Sequence, residues 1–100
     1  MILKVVIGIP AFNEEENIAK IIVKLQKISD TIIVCNDGST DLTKEISEKM
    51  GVEVINHPKN LGYGAGIRSI FLKASKMDTD ILVTFDADGQ HRVEDIESVI

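Results

Sequence analysis

Ile81-Leu82-Val83-Thr84-Phe85 runs straight into Asp86-Ala87-Asp88-Gly89-Gln90-His91. An apolar, β-branched run bounded by acid and glycine reads as a buried strand whose carboxyl end opens into a loop. Residues two apart in an extended segment project to one face, so Asp86 and Asp88 can aim their carboxylates at one point while small Ala87 turns away. Two like charges so placed repel unless a hard divalent cation lies between or beside them, and oxygen-only ligands suit Mg2+ or Mn2+. Gln90 adds a neutral oxygen at the same spacing. Taken alone, the segment reads more readily as a solvated turn built on Asp-Gly, since Asp-x-Asp is a weak signal by itself. Its company favours the metal reading, because the other polar loops also fall at the carboxyl ends of strands, where open α/β sheets bind ligands.

Working outward to the start of the chain, Leu3 to Ile9 is a continuous apolar run, the pattern of a strand buried on both faces of a parallel sheet, and it stops at Pro10. Asn13 followed by Glu14-Glu15-Glu16 reads as a helix start, a capping side chain and then negative charge at the positive end of the dipole. Ile18, Ile21, Ile22, Leu25 and Ile28 repeat at helical spacing. The unit then recurs. Thr31 to Cys35 is the second strand, Asn36 to Asp41 its loop, and Leu42, Ile46 and Met50 one face of a helix capped by Ser39 or Thr40 and stopped by Gly51. Val52 to Ile55 is the third strand. After the loop from His57 to Gly62 comes a glycine-rich helix carrying Ile67, Ile70, Phe71 and Ala74. Val93, Ile96, Val99 and Ile100 mark a last helix. Strands alternating with helices at this spacing imply right-handed crossovers and an α/β three-layer sandwich with a mainly parallel sheet.

One hundred residues allow one small domain or part of a larger one. A net charge of −5 disfavours a nucleic-acid backbone as partner, since phosphate binding wants clustered Lys and Arg. The lone Cys35 cannot form an internal disulfide and sits in an apolar run as a small core residue. No stretch is apolar for long enough to cross a bilayer, and residues 1–4 run into a strand rather than a cleavable signal, so a cytoplasmic location is expected.

Each loop residue admits two readings. Asp37 either shapes its loop as an Asx-turn or accepts a hydrogen bond from the edge of a base. Phe12 beside Pro10 is either core or a flat face for stacking. Glu14 compensates a helix dipole or bonds a ribose hydroxyl, and Arg68 is a solvated charge or reaches a diphosphate. Gly62, Gly64 and Gly66 lack the Gly-x-Gly-x-x-Gly order, because Ile67 takes the last glycine position, and there is no P-loop. Dinucleotide binding and P-loop hydrolysis are therefore disfavoured.

Residues 9–15, 34–41, 60–66 and 86–91, in that order, resemble the motifs of the family 2 glycosyltransferases, closest in look to the dolichyl-phosphate mannosyltransferase and glucosyltransferase branch. The resemblance implies a GT-A fold, a nucleotide-diphosphate sugar donor and an inverting, metal-dependent transfer to an acceptor such as a polyprenyl or dolichyl phosphate. It implies that Pro10, Phe12, Glu14 and Asp37 hold the nucleoside with Arg68 nearby. Asp86, Ala87 and Asp88 then complete the substrate site, and Asp86, Asp88 and Gln90 bind Mg2+ or Mn2+. Where the family motif usually carries a proline near His91, this chain has Arg92-Val93. The resemblance also places the general base and acceptor site on later strands, so residues 1–100 are expected to be a single N-terminal, donor-binding half, cut after the fourth strand. A membrane-facing substrate and self-association through an open sheet edge fit that expectation. It requires Asp37 and Asp88 on one rim, with neither buried against a fixed basic partner. A haloacid-dehalogenase-type phosphatase with Asp86 as nucleophile is the alternative, though that family carries its motif near the domain start. A non-catalytic nucleotide-binding module is another.

Overall fold

The computed structural model describes residues 3–87. Four strands, β1 (Val5–Ala11), β2 (Thr31–Asp37), β3 (Glu53–His57) and β4 (Ile81–Thr84), alternate with helices α1 (Ile18–Leu25), α2 (Thr43–Lys49) and α3 (Tyr63–Ser75). All pairings are parallel and the sheet order is β3-β2-β1-β4. The α/β sandwich expected from the sequence is therefore present. The last expected helix, with Val93, Ile96, Val99 and Ile100, lies outside the described residues.

Alternation along the strands divides the core between two faces. Ile7, Ile9, Ile32 and Val34 pack with Ile18, Ile21, Ile22 and Leu25 of α1 and with Ile46 and Met50 around α2. Val6, Ile33 and Cys35 project to the other side and meet Ile70 and Ala74 of α3. Each fully buried aliphatic side chain contributes about 1.5–3 kcal/mol through removal from water. Gly8 belongs to the α3 side, where a Cβ would land on the Ile70 side chain. The absent side chain is what lets α3 lie close to β1.

Several local expectations need correction. The first strand does not stop at Pro10 but continues to Ala11. Gly8 accepts a hydrogen bond from the Phe85 N–H, so its polar groups face β4, and Pro10 two residues later faces the same way. The β1–β4 ladder ends at the Gly8–Thr84 pair, so the N–H that proline lacks falls where no partner strand needs it. Asn13 is not a helix cap: it adopts a left-handed backbone, φ 53°, and α1 begins later, at Ile18. Neither Ser39 nor Thr40 caps α2. Leu42 holds the N-cap position and makes no side-chain cap bond, and the Asp41 carboxylate just before it accepts the Thr43 N–H at 2.9 Å. Leu42 and Phe71 are exposed rather than core-facing. Gly66, Ile70 and Ala74 form the buried i, i+4 stripe of α3, and Phe71 lies a further 100° around the helix, where it is 61% exposed.

β2 and β3 each run past their expected ends and carry Asp37 and His57 as their final residues. The parallel register makes these two residues direct partners.

Candidate functional site

The chain moves outward from β1 to β2 to β3, then returns across the sheet through α3 to place β4 on the other side of β1. The order thus reverses between β1 and β4, and in open parallel sheets such a reversal leaves a crevice at the carboxyl ends of the strands. A cavity of about 230 Å³ lies there, lined by Pro10 near the end of β1, by Phe12 and Glu14 just past it, by Asp86 and Ala87 after β4, and by Tyr63. A neighbouring cavity of about 170 Å³ shares Pro10, Phe12 and Tyr63 and reaches Asp37, Asn60, Gly62 and Gly66. The two form one rim along the sheet.

Hydrogen bonds fix the loops of that rim to each other. Asn13 donates its N–H to Ser39 Oγ at 3.0 Å, and its side-chain oxygen accepts the Thr40 N–H at 2.8 Å. The Glu14 N–H donates to Thr43 Oγ1 at 2.8 Å, and the Glu15 N–H to Asp41 Oδ2 at 3.1 Å. The second and third loops are joined in the same way. Asp37 Oδ1 accepts from His57 Nδ1 and from the Leu61 N–H, each at 2.8 Å, and Oδ2 accepts the Gly62 N–H at 3.0 Å. Gly38, at φ +72°, lies against the backbone of Lys59 and Asn60 so closely that a Cβ would overlap it. Loops that are individually polar and short of core contacts are thereby held as one surface.

Asp37 is only 6% exposed. Burial alone would push its carboxyl up, but the hydrogen bonds from His57, Leu61 and Gly62, together with the attraction of the imidazole, hold it below the ordinary aspartate range. The requirement that Asp37 lack a basic partner is therefore not met, since it is buried against His57. The pairing does not consume the group. An ionised carboxylate has about four acceptor positions, and the three bonds from His57, Leu61 and Gly62 leave one on Oδ2. Asp37 therefore organises its loops and still lines the cavity. Asp41 is similar in sign: burial would raise it, and bonds from Thr43 and Glu15 outweigh that and lower it. Burial, then the charge of Asp37, push the Cys35 thiol up to about 11, which leaves it an unreactive core group.

The expected site residues gather unequally. Pro10, Phe12, Glu14, Asp37, Asp86 and Ala87 line the rim. Phe12 is 44% exposed, so a face of its ring is open to the cavity rather than spent in the core. Arg68 is exposed on α3 and lines neither cavity. Asp88 and Gln90 lie outside the described residues, so of the expected metal ligands only Asp86 is placed, beside Glu14 on one cavity. Among the described residues, no three acidic, histidine or cysteine side chains cluster as a metal site. Sequence reasoning missed two participants. Tyr63 is 61% exposed and lines both cavities. His57 was visible only through the register: had the second and third strands been run to their true ends, it would have fallen opposite Asp37.

Comparison with known proteins agrees with this fold. Residues 6–100 match the family described as Glycosyl transferase family 2. The UDP-N-acetylglucosamine--dolichyl-phosphate N-acetylglucosaminyltransferase of Methanococcus voltae is 37% identical, covering 92% of this chain and 44% of that protein. The dolichol-phosphate mannosyltransferase of Pyrococcus furiosus is 35% identical, covering 98% and 29%. The crystal structure of glucosyl-3-phosphoglycerate synthase from Mycobacterium tuberculosis with Mn2+, UDP and glucosyl-3-phosphoglycerate superposes with a TM-score of 0.70 at 26% identity, covering 86% of this chain and 34% of that one. The chain thus spans less than half the length of the proteins it matches. Among the described residues, no helix is long and apolar enough to cross a membrane. The matched motifs leave the phosphatase alternative without support. With its switch-point crevice and a family match over nearly the whole chain, the protein has the GT-A fold and belongs to glycosyl transferase family 2.

Proposed function

We propose that the rim binds a nucleoside-diphosphate sugar and that residues 1–100 form the N-terminal, donor-binding half of a hexosyltransferase. The observation that carries this reading is the pair of adjoining cavities at the strand-order reversal, with an open aromatic face at Phe12, an ionised acceptor at Asp37 and the carboxylates of Glu14 and Asp86 further along. A flat heteroaromatic base stacks on Phe12 between Pro10 and Tyr63, while the remaining acceptor position of Asp37 takes an N–H from the base edge. Glu14 accepts from a ribose hydroxyl. Ala87, buried and small, keeps the floor of the crevice low beside Asp86. Arg68 is given no donor contact in this arrangement.

The fit to a divalent cation is chemical: Glu14 and Asp86 bring hard oxygen donors to one cavity, and their like charges favour a cation between them and the diphosphate. Asp86, Asp88 and Gln90 would hold Mg2+ or Mn2+, which, when bound, neutralises charge on the departing diphosphate. The M. tuberculosis enzyme has been crystallised with Mg2+ and UDP as well as with Mn2+. The acceptor, a polyprenyl or dolichyl phosphate as in the named relatives, and the general base of an inverting transfer belong to sequence outside these residues. A lipid-phosphate acceptor would bring the complete enzyme to the cytoplasmic face of a membrane.

Calorimetry of the chain with uridine and guanosine diphosphate sugars, with and without Mn2+, tests the proposal. Metal-dependent heat with at least one donor is expected, and no heat with any donor overturns it.

A further inference from the structure

His57 lines neither rim cavity, yet it is bonded at both ring nitrogens. Nδ1 lies 2.8 Å from Asp37 Oδ1, and Nε2 lies 2.8 Å from Ser69 Oγ on α3. An ionised carboxylate only accepts, so Nδ1 carries a proton and donates it to Asp37, while Nε2 is hydrogen-bonded to the Ser69 hydroxyl. The Asp37–His57 pair is also fixed by the β2–β3 register, and Asn36 Nδ2 donates to Asn56 Oδ1 at 3.0 Å in the adjoining pair. A part-buried chain therefore runs from the second turn of α3 through the imidazole to the acceptor that lines the cavity. The loop geometry alone does not require it: Leu61 and Gly62 already tie Asp37 to the third loop through their own N–H groups.

We infer that His57, backed by Ser69, is a positioning residue for the nucleobase subsite: it fixes the orientation of Asp37 and keeps its carboxylate an acceptor-only group. The inference rests on the reading of the rim as a nucleotide site and adds to it a selectivity. An acceptor-only carboxylate favours a base that presents an N–H donor at its edge, as uracil does, over cytosine, which presents an acceptor at the corresponding ring nitrogen. The charged and titratable groups facing the pair are few. β2 supplies Cys35, with Sγ 3.7 Å from Nε2, and Asp37 itself; α3 supplies the Ser69 hydroxyl; and the third loop supplies backbone N–H groups.

The test is calorimetric titration of UDP between about pH 2.5 and 8, and of CDP at neutral pH, into the unmutated chain and into His57→Leu, His57→Asn and Ser69→Ala. The unmutated chain is expected to prefer UDP by about tenfold, the scale of one specific hydrogen bond. In His57→Leu that preference shrinks, and the loss of UDP binding on the acid side moves upward by about one pH unit, because Asp37 takes a proton more readily. His57→Asn, whose amide can replace the Nδ1 donor, recovers most of both, and Ser69→Ala moves both in the direction of His57→Leu but less. A purely structural role predicts weaker binding that tracks thermal stability with the acid limb unmoved, and that result overturns the inference while sparing the nucleotide site. Should His57→Leu fail to fold, nitrogen NMR of the unmutated chain decides. Saturating UDP must shift the His57 Nδ1–H resonance, and an unmoved resonance overturns the inference. No binding of any nucleotide by the unmutated chain overturns both readings.

Discussion

Replacing Gly38 by alanine tests how firmly the second and third loops are interlocked. Gly38 adopts φ +72°, where an L residue costs about 1–2 kcal/mol. Its new Cβ would also overlap backbone atoms of Lys59 and Asn60, which cannot swing aside as a side-chain tip can. Overpacking of that kind adds about 1–3 kcal/mol. Gly51 supplies the control. It has φ +79° just past α2, with nothing within 4 Å of a Cβ, so Gly51→Ala carries the conformational cost alone. For a domain of this size each kcal/mol lowers the melting temperature by about 4–8 °C. Gly38→Ala should therefore melt at least about 4 °C below Gly51→Ala. It should also bind nucleotide more weakly, because the Asp37 loop and the Gly62 loop no longer close together, whereas Gly51→Ala should leave affinity unchanged. Thermal unfolding of both variants, with UDP titration alongside, reads the difference. Equal melting temperatures and equal affinities would refute the idea that the Gly38 contact locks the rim.

The other expectations concern charge, stacking and metal. Asp37 and Asp41 have carboxyls held below the ordinary aspartate value, so their contribution to stability is complete above about pH 4 and is lost as pH falls through their folded values. Urea midpoints measured from pH 6 down to pH 2 should drop at the acid end, with a shallower drop in Asp37→Asn and Asp41→Asn. Phe12→Ala should weaken nucleotide binding by about 1–3 kcal/mol, the range for a base stacked on an aromatic ring, while a half-exposed side chain leaves the melting temperature nearly unchanged. Chelation with EDTA should weaken binding of a nucleoside diphosphate more than binding of the nucleoside, and Asp86→Asn should remove most of that difference in calorimetry.

The fold was legible because its signals are local and repeated. Continuous aliphatic runs such as Ile32 to Cys35 suit strands covered on both faces, and the Ile18, Ile21, Ile22, Leu25 spacing fits one buried helical stripe, as found. Strand ends were harder to place. Pro10 and Asp37 look like loop residues, yet both belong to strands, because sheet pairing tolerates a proline N–H that faces no neighbour and a polar side chain at the final ladder position. Helix starts failed for a related reason. Asn13 is a good capping residue by type, but its side chain reaches Thr40, a partner 27 residues away that propensity cannot reveal. The candidate site shows the same division. Phe12, Glu14 and Asp86 followed from their places after strands, whereas Tyr63 became visible only once the crossover had brought it to the rim, and His57 only once register had set it behind Asp37.

The most direct measurement is amide NMR of the labelled chain during titration with UDP and Mg2+. Shifts should concentrate at Phe12, Asp37, Gly62, Tyr63 and Asp86, at the carboxyl ends of the strands. A cavity of about 340 Å³ at the opposite end of the sheet, lined by residues including Lys4, Ile28 and Asp30, should stay silent. Shifts confined to that opposite end, or none at saturating nucleotide, would contradict the assignment of the rim as the donor site.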